Sequence, residues 1–79
     1  MALDREAEVR HLAQAETHIA DAERQVTAQA MVVERLRADG HDTGEAEWLL
    51  ANLKGTLETM NEHRMLILNT ICQIDDGLL

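Results

Sequence analysis

The stretch Ala38-Asp39-Gly40-His41-Asp42-Thr43-Gly44 decides the fold, because it is the one break in a chain otherwise built of helix formers. Gly40 can adopt the left-handed conformation that closes a helix. Asp42 can then cap the next helix, with Glu45 three residues on completing a capping box, and Thr43 is an equally suitable cap one residue later. The reading is a first helix over 3–39, a second over 43–74, and a link of about four residues. A link that short favours antiparallel neighbours.

Working outward, each predicted helix carries a seven-residue hydrophobic repeat. In the first, Leu12, Ile19, Val26 and Val33 recur every seventh residue, and Ala15, Ala22, Gln29 and Leu36 follow each by three. That is a heptad seam with large residues at the a positions and mostly small ones at d. In the second, Ala46, Leu50, Leu53, Leu57, Met60, Arg64, Ile67, Ile71 and Ile74 keep a 4-3 spacing, widened by Leu49, Leu68 and Cys72. Arg64 is the one interruption, and the tail Asp75-Asp76-Gly77-Leu78-Leu79 is expected to fray. Glu6 with Arg10, and Glu34 with Arg37, are spaced for ion pairs along the first helix. At 1.5 Å per residue both helices come to about 45–55 Å. The expected fold is therefore all-α: one domain over 1–79, a two-helix hairpin that dimerises into a four-helix bundle. The apolar stripe of the second helix exceeds what the alanine-rich first helix can cover, and a two-fold dimer is the simplest way to close it.

Composition narrows the function. Proline, phenylalanine and tyrosine are absent, Trp48 is the sole aromatic residue, and nothing resembles alternating strand sequence. The net charge of −8, with seven basic residues spread along the chain, argues against nucleic acid and against anionic membrane surfaces. No run approaches the roughly 18 apolar residues of a membrane span. The charged opening Met-Ala-Leu-Asp-Arg-Glu lacks a signal-like apolar core, and the single Cys72 fits a reducing compartment, so a cytoplasmic location is expected.

Candidate sites are few. Glu8-Val9-Arg10-His11 places a carboxylate and an imidazole on one helical face, as in di-iron bundles, and Glu58 or Glu62 could add ligands. The plainer and preferred reading is that His11 and His18 are solvated residues at g positions beside the seam, with no metal or cofactor. Arg64 at an a position needs an acid, with Glu16 and Glu23 as candidates, and is expected to fix register or oligomeric state. Trp48 lies off the seam, either covering the loop or anchoring a partner. Cys72 reads as a small core residue, and Met31, Met60 and Met65 as core filler. Serine is absent and no phosphate-binding glycine motif occurs, so no catalytic residue is assigned and a non-enzyme is expected.

Several segments carry a resemblance: His18-Ile19-Ala20-Asp21-Ala22-Glu23, the turn Ala38-Asp39-Gly40-His41-Asp42-Thr43, and Leu49-Leu50-Ala51-Asn52-Leu53 with Met60 and His63-Arg64. On these the chain resembles a group of small uncharacterised bacterial helical-hairpin proteins. That group has no established activity, so the resemblance implies the hairpin and transfers no functional residue. In architecture alone the chain also resembles the two-helix RNA-binding dimer that regulates plasmid copy number. The basic and aromatic face of that protein is missing here, so RNA binding is not implied. The expectation is a protein-protein interaction or oligomerisation module with a regulatory role. The rivals are a metal-binding bundle and a small subunit that folds on its mate.

Overall fold

The computed structural model describes residues 4–78 and contains two helices, α1 (Arg5–Ala38) and α2 (Gly44–Asp75), packed as an antiparallel hairpin. The molecule measures 58 × 17 × 15 Å, and its radius of gyration is 17.8 Å. A compact chain of this length would have about 12 Å. Among the described residues no helix is long and apolar enough to cross a membrane.

The caps explain the element boundaries. The Asp4 side chain accepts a hydrogen bond from the Glu6 amide at 3.0 Å, so α1 begins at Arg5. Residue 3, the expected first position of the helix, lies outside the described residues. Gly40 has φ of +74°, the His41 amide donates to the Leu36 carbonyl, and the Gly40 amide donates to Arg37. This is a Schellman closure, the expected use of Gly40. The start of α2 differs from expectation. Thr43 occupies the N-cap position but its hydroxyl makes no capping bond, and Asp42 Oδ1 accepts from the Gly44 amide at 2.9 Å. The predicted box between Asp42 and Glu45 is thus replaced by a tighter local turn. The link is five residues, 39–43.

The seams pack against each other. Leu12, Ala15, Ile19, Ala22, Val26, Gln29, Val33 and Leu36 are all buried or half-buried, as are Ala46, Leu50, Leu53, Leu57, Met60, Arg64, Ile67, Ile71 and Ile74. Gln29, the one polar seam residue of α1, donates from Nε2 to the Ala46 carbonyl at 3.0 Å. The core is thin. Only Ile19, Ala22, Val33, Ile67 and Ile71 are classed as buried among the described residues, and no side chain falls below 2% exposure.

Three expectations are corrected. The tail does not fray before Leu78, because Gly77 (φ +74°) repeats the Gly40 device: its amide reaches Ile74 and the Leu78 amide reaches Gln73. Met31 and Met65 are 59% and 53% exposed, because their f and b positions face away from the partner helix; only Met60, at d, packs as filler. Cys72 is likewise exposed, at a b position.

Gly55 sits inside α2 with open space where a Cβ would go. Gly55→Ala should therefore raise unfolding free energy by about 0.5–1 kcal/mol through helix propensity. Gly40→Ala should lower it by about 1–2 kcal/mol, because alanine must adopt the left-handed conformation there. Urea melts followed by circular dichroism check both; opposite signs would contradict the caps described above.

Candidate functional site

The heptads leave two long edges between the helices, and these differ in chemistry. One edge carries the e positions: Val9, Glu16, Glu23, Ala30 and Arg37 of α1 with Glu47, Lys54, Asn61, Leu68 and Asp75 of α2. Arg37 bridges Glu34 on its own helix at 2.7 Å and Glu47 across the hairpin at 2.8 Å. The Glu6–Arg10 pair does not form. Arg64 Nη2 lies 3.8 Å from Glu16 Oε2, in a groove that also holds Ile19, Glu23 and Asn61. Arg64 is only half-exposed, so its long stem covers the seam while its charge stays near solvent and near Glu16. Of the two acids considered for it, Glu16 is the one in reach.

The open end of the hairpin is joined by a fork. Arg5 Nε donates to Asp75 Oδ1 at 2.6 Å and Arg5 Nη2 to Oδ2 at 3.2 Å. These hydrogen bonds hold the Asp75 carboxyl below its ordinary value of 3.8, and Asp75 raises Arg5 in turn. The pair also corrects a dipole mismatch. The last turn of α2 has no basic residue of its own, and Arg5 supplies positive charge to that end from the neighbouring helix.

The opposite edge carries the g positions: His11, His18, Gln25 and Val32 of α1 with Leu49, Thr56, His63 and Thr70 of α2. None is Asp, Glu, Lys or Arg. At mid-length this edge holds a groove of about 390 Å³, lined by Ala15, His18, Thr56, Thr59, Met60 and His63. The hydroxyls of Thr56, Thr59 and Thr70 donate to the carbonyls of Asn52, Gly55 and Leu66, one turn back. Asn52 Nδ2 donates to Trp48 in the same way. Each threonine spends its hydroxyl donor, and Asn52 one of its two N–H groups, on its own helix.

The other sequence candidates separate. Glu8 and His11 are neighbours, with Oε1 and Nδ1 3.8 Å apart. Glu58 and Glu62 are exposed at outward b and f positions. In the antiparallel pairing Arg5 meets Asp75 and Glu16 meets Arg64. Glu8 therefore lies nearest the last turns of α2, roughly 15 Å along the axis from Glu62. The described residues include no group of three or more His, Cys, Asp or Glu placed to hold a metal ion. Trp48 is 68% exposed and does not cover the loop. It flanks a shallow surface with Ala51, Asn52, Gly55, Thr56 and Thr59, which meets the mid-length groove at the two threonines. Comparison with protein-family models, curated proteins and solved structures finds no significant match.

The Arg5–Asp75 fork has a checkable pH signature. The folded Asp75 is depressed, so its contribution is present above about pH 3.8 and is lost as pH falls through the lower folded value. An NMR titration should show the Asp75 carboxyl protonating at lower pH in the wild type than in Arg5→Ala. Amides 76–78 should exchange faster in the variant. Equal midpoints would mean that the fork does not persist in solution.

Proposed function

We propose that this chain is a non-enzymatic oligomerisation module with a regulatory role: a helical hairpin that pairs with a second copy into a four-helix bundle and can dock a further protein, with Trp48 as a candidate anchor. The observation that carries this reading is the thin core. Two helices cover each other from one side only, and most seam side chains, including Leu12, Val26, Leu50, Leu53, Leu57 and Met60, remain half-buried. Small domains with so little enclosed surface commonly gain stability by association. A second hairpin would complete the enclosure of these residues, and short up-down connections are the ordinary topology of such bundles.

The face that Leu53 and Leu57 present lies between α1 and α2. An aspartate at either position would thus disrupt the hairpin as well as any assembly, and tests of self-association need substitutions off the seam. The direct test is absolute mass by light scattering on a sizing column, since an elongated monomer elutes early and elution volume alone misleads. The expected result at micromolar concentration is twice the 8.9 kDa chain mass, unchanged by chelator. A stable, fully helical monomer would overturn the reading. So would a monomer of low helicity at every concentration, which is the signature of a subunit that folds on a different mate.

A further inference from the structure

We infer that a second copy of this chain seats on the uncharged edge formed by His18, Gln25 and Val32 of α1 and Leu49, Thr56 and His63 of α2. This rests on the self-association proposed above and names the surface that performs it.

Charge selects the occupant's position. Each copy carries a net −8, so two copies repel over most approaches. Meeting through the e edge would take the Arg5–Asp75, Arg37–Glu47 and Arg64–Glu16 pairs, together with Glu23 and Lys54, out of water, and desolvating charged groups is costly. The g positions hold no acid and no permanent base; at the flanking c positions stand Asp21, which lines the groove beside His18 and Gln25 and pairs with Arg24, and Arg35 and Glu45.

Desolvation points the same way. Burying a hydroxyl or amide whose donor lacks a partner is costly. On this edge Thr56, Thr59 and Thr70 already donate within α2 and Asn52 donates one of its two N–H groups, so the groups that need partners across the contact are His18, Gln25 and His63 and the remaining N–H of Asn52. Along this edge Val32 and Leu49, toward the turn, are 40% and 43% exposed, and Leu66, toward the open end, is 64% exposed, so apolar surface is available to bury. Size suffices as well. A face of 58 by 17 Å spans roughly 1,000 Å², against the roughly 800 Å² per partner of a standard stable interface.

The test uses charge placed at exposed positions, where glutamate is a better helix former than threonine or asparagine and about the equal of leucine. Thr56→Glu and Leu66→Glu target the uncharged edge, and Asn61→Glu targets the opposite one. Circular dichroism reports whether the hairpin persists, and sedimentation equilibrium reports the dimer Kd. The expected result is that either uncharged-edge variant raises Kd by roughly 100-fold or more with helicity retained, while Asn61→Glu changes it by no more than about threefold. Raising salt from about 0.05 to about 0.5 M should tighten the wild-type dimer, because screening relieves the repulsion between like-charged copies. If the wild type is dimeric and both uncharged-edge variants keep its Kd, this surface is wrong while self-association stands. Dissociation by Asn61→Glu alone would place the contact on the charged edge, and weakening by salt would indicate an interface stitched by ion pairs; each overturns the inference. A monomeric wild type removes the underlying reading together with the surface.

Discussion

Everything in this molecule depends on one interdigitated seam between two helices, and on the fact that two helices cannot surround anything. A helix buries side chains only where another element covers them, so the a and d residues of α1 and α2 are sheltered toward each other and open to both sides. Ile19, Ala22, Val33, Ile67 and Ile71 are buried because they lie deepest in the contact, and no side chain is sealed completely. The alanines at d on α1 let the backbones approach closely. That closeness limits how much apolar surface the pair can remove from water, and hence how much stability the hairpin draws from its own core.

The rest of the structure holds this seam in register from its two ends and its middle. At one end the covalent turn is closed by Gly40 in its left-handed conformation and braced by Arg37 between Glu34 and Glu47. At the other, Arg5 and Asp75 join residues 70 positions apart in sequence. Between them Gln29 donates across to the Ala46 carbonyl and Arg64 approaches Glu16. Exposed ion pairs of this kind contribute little individually. Their value here is positional: a slide of either helix by one heptad would break the fork, the Arg64 pair and the Gln29 bond together.

The architecture was legible in the sequence because its determinants are local. The turn residues, the missing proline and the 4-3 spacing each act within a few positions, and every a and d residue named from periodicity, from Leu12 to Ile74, turns inward. What escaped reading depended on choices that periodicity does not resolve. Asp42 caps by bonding the Gly44 amide because Thr43 is the cap residue, a matter of one residue's dihedral angles. The second Schellman closure was missed although Gly77 follows the last seam residue, Ile74, much as Gly40 follows Leu36; the acidic tail around it suggested fraying. Met31, Met65 and Cys72 were placed by residue type when their heptad positions pointed outward. The pairing of Glu16 with Arg64 needed the antiparallel register, and so did the separation of Glu8 from Glu62.

The two edges of this strongly acidic hairpin differ in the charge they carry. Charge here is segregated by heptad position. The e positions hold the charged Glu16, Glu23, Arg37, Glu47, Lys54 and Asp75 beside Val9, Ala30, Asn61 and Leu68, while the g positions hold histidine, glutamine, threonine, valine and leucine. A uniformly charged hairpin would repel its own kind from every side, and a uniformly neutral one would associate without direction. With one edge charged, approach between copies is disfavoured there and least opposed at the other. The threonines strengthen the asymmetry. By turning their hydroxyls back onto α2 they satisfy their own donors, so the uncharged edge is polar in composition but holds fewer free donors than that composition suggests.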